Sequence, residues 1–101
     1  MELCNEIVIR GLLERHGFRF SRSMGQNFLI DPSIPAAIAE ASGADEGCGV
    51  LEIGPGIGPL TQELAKRAGK VVSIELDRAL LPVLAETVGD LPNVEIVPGD
   101  A

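Results

Sequence analysis

Three short stretches carry residues able to hold a nucleoside-like ligand. Gly54-Pro55-Gly56-Ile57-Gly58 follows the apolar run Val50-Leu51-Glu52-Ile53 and precedes a helix-like run from Leu60 to Arg67. Glycines in a strand-to-helix loop let the backbone turn sharply and let a ligand approach with no Cβ in the way. The helix start beyond the loop offers N–H groups that favour an anionic group. Glu75 ends the next apolar run, 21 residues after Gly54. An acid there can accept hydrogen bonds from both hydroxyls of a ribose. Asp100 holds the matching place after a third apolar run, where a carboxylate can accept from the exocyclic amine of an adenine. Each has a plainer reading: a structural glycine turn, a solvated strand end, and a turn acid after Pro98-Gly99. The dinucleotide fingerprint G-x-G-x-x-G is only partly met, because Pro59 stands where its third glycine belongs. An NAD-type dinucleotide, as in an oxidoreductase, therefore stays open beside other nucleosides.

These residues need elements to position them. Asn5 to His16 reads as a short helix with Gly17 as its left-handed stop. Phe18 to Asp31 has no clean period and reads as an extended arm containing Met24-Gly25-Gln26-Asn27-Phe28-Leu29. A second helix is expected to start with Ser33 as N-cap, which puts Pro35 at the second helical position. Ile34, Ile38 and Ala41 would then line its inner face, and Gly43 would end it. Strands are expected at Val50–Ile53, Val71–Ile74 and Val94–Val97. Between them lie a helix from Leu60 to Arg67, stopped by Gly69, and a helix capped by Asp77 that carries Leu80, Leu81, Leu84 and Val88. Pro82 should kink that last helix or delay its start. Strands alternating with helices indicate a parallel α/β sheet.

Composition bounds the rest. Among the 101 residues, 46% are apolar and 23% charged, which excludes a disordered chain. No run of 18 apolar residues is present, and the first residues carry acid where a secretory signal would carry base. Cys4 and Cys48 make neither a disulfide framework nor a metal site, so a reducing, cytoplasmic setting and no metal are expected. The net charge of −7 argues against a general nucleic-acid binder. The charge is uneven, however: residues 1–30 set Arg10, Arg15, Arg19 and Arg22 against three glutamates, whereas residues 31–101 hold four bases and twelve acids. Any phosphate contact is therefore expected from Arg10 to Arg22; the plainer reading is a solvated helix face and loop.

Three segments together carry a resemblance: Arg15-His16-Gly17-Phe18-Arg19-Phe20-Ser21, Gly25-Gln26-Asn27-Phe28-Leu29-Ile30-Asp31, and Glu52-Ile53-Gly54-Pro55-Gly56-Ile57-Gly58-Pro59-Leu60-Thr61. The sequence resembles the small-subunit ribosomal RNA adenine N6,N6-dimethyltransferases from about Arg10 to Asp100. The glycine loop alone would match many methyltransferases; the Gly-Gln-Asn-Phe-Leu arm is far more specific. The resemblance implies the first half of a Rossmann-like doubly wound sheet of the class I S-adenosylmethionine-dependent methyltransferases. Residues 1–31 would form the N-terminal helix and cofactor-covering arm, and residues 32–101 the first part of the cofactor domain. It further implies that S-adenosylmethionine contacts Asn27, Leu29, Gly54, Glu75 and Asp100, and that the substrate is two adjacent adenines near the 3′ end of 16S rRNA in the small ribosomal subunit. The family's catalytic Asn-Leu-Pro-Tyr-like tetrapeptide does not occur here. It is expected beyond Ala101, so this stretch alone should be inactive. A non-enzymatic RNA-binding or ribosome-assembly module of the same ancestry is the alternative within the family. In the strand order 3-2-1-4-5 of such sheets, strand one becomes an edge here, through which the chain is expected to self-associate.

Overall fold

The structure, a computed structural model, describes residues 1–19, 21 and 28–101. Asn5 starts the first helix by accepting the N–H groups of Ile7 and Val8 at 2.9 and 3.3 Å. Helix α1 (Glu6–Arg15) then runs until Gly17, whose φ of 81° few other residues adopt cheaply. Its inner side buries Ile9, Leu12 and Leu13 with Leu3, Ile57, Leu80 and Val83, and Phe18 and Phe28 pack against this cluster. Burying each large aliphatic side chain contributes roughly 1.5–3 kcal/mol over leaving it exposed.

Helix α2 (Ser33–Ala41) corrects two expectations. Ser33 is not the cap: Asp31 accepts both the N–H and the hydroxyl of Ser33, at 2.9 and 2.7 Å. Those bonds hold the Asp31 carboxyl below its usual range, the Ser33 hydroxyl contributing most. The Asp31 carbonyl is meanwhile taken by the N–H of Ile34 at 3.0 Å, so the missing N–H of Pro35 leaves nothing unpaired there. The inner face is Pro35 and Ala39, whereas Ile34 and Ile38 stand 47% and 48% exposed and Ala41 is exposed too. Ala39 packs with Leu64 and Ala68, a contact that a small residue makes at closer range than an isoleucine would.

Three parallel strands form one sheet in the order β1-β2-β3: β1 (Gly49–Ile53), β2 (Lys70–Glu75) and β3 (Val94–Pro98). Val50 pairs with Val71, Glu52 with Ser73, and Glu75 with Pro98. Alternation sends Val71, Ser73 and Glu75 to a buried face, where Val71 meets Leu64 and Ala68 near helix α3 (Pro59–Arg67). On the strands' other side Leu51 and Ile53 are 63% and 58% exposed. Parallel sheets are normally covered on both faces; among the described residues this one is covered on one. Asp77 accepts the N–H of Ala79 and opens a 3-10 turn (Arg78–Leu80), after which α4 (Leu81–Thr87) begins with Pro82 in its first turn. Pro82 thus delays the helix. Asn93, just before β3, donates its side-chain amide to the carbonyls of Ala65 and Ala68 at 2.8 and 3.0 Å, closing the end of α3. Among the described residues no helix is long and apolar enough to cross a membrane.

Candidate functional site

The glycine loop joins β1 to α3 at the C-terminal edge of the sheet. The Gly54 N–H donates to the Ile74 carbonyl at 2.9 Å, carrying the ladder one residue past β1. The chain then turns through Gly54, Gly56 and Gly58 at φ 72°, 63° and 102°. The glycines serve different ends. A Cβ on Gly58 would lie 3.1 Å from both Thr87 Oγ1 and Val88 Cγ1, so this glycine lets the loop sit against α4. Among the described residues a Cβ on Gly54 would meet nothing within 4 Å, which leaves room there for a ligand. Thr87 donates its hydroxyl to the Ile57 carbonyl at 2.8 Å and fixes the loop from behind.

Glu75 is only 6% exposed at the end of β2. Its Oε1 accepts the Gly56 N–H at 3.1 Å and its Oε2 accepts the Asp77 N–H at 2.9 Å. A carboxylate has about four lone-pair sites, so roughly two remain for other donors. Asp100 is exposed just past β3, and the preceding Gly99 donates its N–H to the Glu75 carbonyl at 3.0 Å. Sheet register therefore brings the loop, Glu75 and the Asp100 backbone to one edge.

Leu29 is 39% exposed. Its neighbour Phe28 packs on the core beside Ile57, with ring carbon Cε1 3.9 Å from where a Gly56 Cβ would be. The chain around Leu29 thus returns to the glycine loop. Asn27 lies outside the described residues. The arginine group divides: Arg15 pairs with Glu86 of α4, Arg10 pairs with Glu14 at 3.2 Å, and Arg19 is exposed. Arg22 lies outside the described residues. A cleft of about 560 Å³ between the N-terminal residues, α3 and α4 is lined by none of Leu29, Gly54, Glu75 and Asp100.

Glu52 braces the glycine loop from below, a role that spacing alone did not single out. It is 7% exposed, and its Oε1 accepts the hydroxyls of Thr61 at 2.5 Å and Ser73 at 2.8 Å. A buried carboxylate needs such partners. They tie the strand before the loop to the first turn of the helix after it. Its signal was present: a charged residue in an apolar strand, on the inward face two positions after Val50.

A ligand suited to this edge presents hydrogen-bond donors to two acids and a compact group to the glycine loop. A family model described as ribosomal RNA adenine dimethylase matches residues 17–101. The chain is 56% identical over 89 residues to the ribosomal RNA small subunit methyltransferase A of Shouchella clausii, covering 88% of this chain and 30% of that protein. It is 46% identical over 100 residues to the protein of that name from Streptococcus agalactiae, covering 99% and 34%. The chain thus spans about a third of these relatives' length. Among solved structures, the 23S rRNA methyltransferase ErmE matches with a TM-score of 0.67 at 44% identity, covering 70% of this chain and 29% of that one. A dimethyladenosine transferase from Plasmodium falciparum matches with a TM-score of 0.64 at 33% identity, covering 70% and 26%. The N-terminal domain of EvdMO1 with SAH bound matches in fold, with a TM-score of 0.66 at 22% identity over 98% of this chain and 48% of that one.

Proposed function

Because the chain belongs to the ribosomal RNA adenine dimethylase family, we propose that it holds S-adenosylmethionine for methyl transfer to adenine N6 in small-subunit 16S rRNA. The observation that carries this reading is the edge where the glycine loop is bonded to Glu75 and the end of β3 is bonded to Glu75 as well. The residues present fit the cofactor. The open space at Gly54 receives its amino-acid end without a Cβ in the way. The free lone pairs of Glu75 accept the ribose hydroxyls, and Asp100 accepts the adenine amine. Asn27 and Leu29 cover it from the arm. When bound, the cofactor supplies a methyl group activated by its sulfonium. The chain's own part is to bind and orient, which alone can remove much of the barrier to a two-partner reaction.

Family membership and Pro59 in place of the third fingerprint glycine weigh against NAD. The substrate within the reading is two adjacent adenines near the 3′ end of 16S rRNA, with Arg19 and Arg22 contributing phosphate contacts. Among the described residues β1 has a neighbour on one side only, and such an edge is a template for a second copy, through which this chain by itself self-associates. Calorimetry tests the cofactor reading: Glu75→Ala is expected to weaken S-adenosylmethionine binding by about 1.5–3 kcal/mol, the range for hydrogen bonds to a charged group. Unchanged affinity in Glu75→Ala, or tighter binding of NAD than of S-adenosylmethionine, would remove the proposal.

A further inference from the structure

Three of the five residues between β1 and α3 are glycines, and glycine loses more backbone freedom on folding than any other residue. A loop that admits a ligand by lacking Cβ atoms therefore has to be fixed from outside. Among the described residues two side chains bond to its backbone. Glu75 takes the Gly56 N–H at 3.1 Å, and Thr87 gives its hydroxyl to the Ile57 carbonyl at 2.8 Å. Glu75 is itself proposed to touch the ligand; Thr87 is not. Thr87 is the last residue of α4 and only 6% exposed. Its hydroxyl had a local alternative, because a helical threonine commonly bonds a carbonyl three or four residues back. Here the Leu84 carbonyl lies 3.5 Å away, against 2.8 Å for the Ile57 carbonyl. The hydroxyl has one proton to give, and it goes to the loop.

We propose that Thr87 is a positioning residue for the cofactor: its hydroxyl fixes the direction of the Ile57–Gly58 peptide, so that the glycine loop holds its ligand-receiving shape before the ligand arrives. This rests on the cofactor reading above. The peptide is bonded at both ends, its carbonyl by Thr87 and its N–H by the Pro55 carbonyl at 3.0 Å. Without the hydroxyl the carbonyl loses its partner, and the glycine that follows, at φ 102°, sets little resistance to rotation. The loop would then have to be ordered at the moment of binding, and affinity would fall by that cost. Packing alone does not call for a hydroxyl at this place. Valine has nearly the same shape as threonine, and the next residue, Val88, is fully buried without one.

The experiment is a calorimetric titration of S-adenosylmethionine into the unsubstituted protein, Thr87→Val, Thr87→Ser, Thr87→Ala and Val88→Ala, with thermal melts and amide hydrogen exchange on the ligand-free proteins. Thr87→Val removes the hydroxyl and keeps the shape. It is expected to bind about tenfold more weakly, within the usual span for a support coupled to a site, and to exchange the Gly58 amide faster. Thr87→Ser keeps the hydroxyl and should bind nearly as well as the unsubstituted protein. Thr87→Ala, which differs from it only by the hydroxyl, should bind more weakly than Thr87→Ser. Val88→Ala takes away packing and no hydrogen bond, so it should melt lower and bind normally. Unchanged affinity in Thr87→Val, or a Gly58 amide that exchanges no faster, would overturn the positioning role. Equal affinities of Thr87→Ala and Thr87→Ser would overturn it as well, and this pair decides the matter should Thr87→Val not fold. A loss in Val88→Ala as large as that in Thr87→Val would also overturn it, by making general loosening the cause. Failure of the unsubstituted protein to bind S-adenosylmethionine would take down the cofactor reading and this proposal with it. Normal binding with indifferent variants takes down this proposal alone.

Discussion

Gly58 and Gly54 both sit at positive φ in the same loop, yet alanine should harm the protein in opposite ways at the two positions. At Gly58 the φ of 102° lies outside the comfortable range of any residue with a Cβ, which costs about 1–2 kcal/mol. The new methyl would also press on Thr87 Oγ1 and Val88 Cγ1 at 3.1 Å, both in residues that are nearly or fully buried. Overpacking of that kind adds about 1–3 kcal/mol, and displacing Thr87 strains its bond to the Ile57 carbonyl. Together the loss is about 2–5 kcal/mol, a large part of the roughly 5–15 kcal/mol typical of a folded protein. At Gly54 only the backbone cost applies, because the methyl meets no atom of the described residues within 4 Å. Gly54→Ala should therefore lose only the backbone cost of about 1–2 kcal/mol, less than Gly58→Ala, yet bind S-adenosylmethionine poorly, its methyl filling the space proposed for the ligand. Urea unfolding of both variants, followed by calorimetry on Gly54→Ala, measures each quantity. If Gly58→Ala lost less than about 1 kcal/mol, or Gly54→Ala were the less stable of the two, the assignment of packing to one glycine and ligand room to the other would be wrong.

Three further outcomes are expected. If the proposed function holds, replacing Arg19 and Arg22 should weaken binding to small ribosomal subunits and flatten its salt dependence with little change in cofactor affinity; an unchanged salt slope returns them to the solvated surface. Arg15, then His16, hold the Glu86 carboxyl below its usual range. A carboxyl lowered on folding stabilises the fold above its unfolded value, and that contribution is lost as pH falls through the lowered folded value. Thermal melts of the unsubstituted protein should thus drop more steeply on the acid side than those of Glu86→Gln, and parallel curves would contradict the pairing. Light scattering over a concentration series should show this chain alone associating through β1, whereas a monomer at every concentration with a sharp urea transition would contradict it.

The strands, the glycine loop, the delaying Pro82 and the helix stop at Gly17 were legible because each depends on residues a few positions apart. Helix α2 was not. Its apolar residues lie on more than one side, and hydrophobicity alone favours Ile34 and Ile38 for the core. The structure buries Pro35 and Ala39 instead, a choice set by how near α3 approaches, which no local pattern encodes. Its cap was misread for a related reason: Asp31 serves Ser33 through its side chain and Ile34 through its carbonyl, two roles that a single-cap reading does not combine. Glu75 and Asp100 could be picked out as strand-end acids, but the bonds from Gly56 and Gly99 that gather them required the sheet register. The His16–Glu86 contact spans 70 positions of sequence and depends on how α1 meets α4, so neither local helix pattern predicts it.

The side-chain amide of Asn93 has a bearing on how the protein ages. Asparagine side chains hydrolyse slowly to carboxylates, and here that change would replace an NH2 group lying 2.8 and 3.0 Å from two carbonyl oxygens with an anionic oxygen. Attraction would turn to repulsion at the negative end of the α3 dipole. The damage would also reach the sheet, because the backbone carbonyl of the same residue accepts the Val71 N–H at 2.8 Å, where β2 meets β3. One such chemical event, adding a single dalton and a single charge, would thus loosen a helix end and a strand junction together.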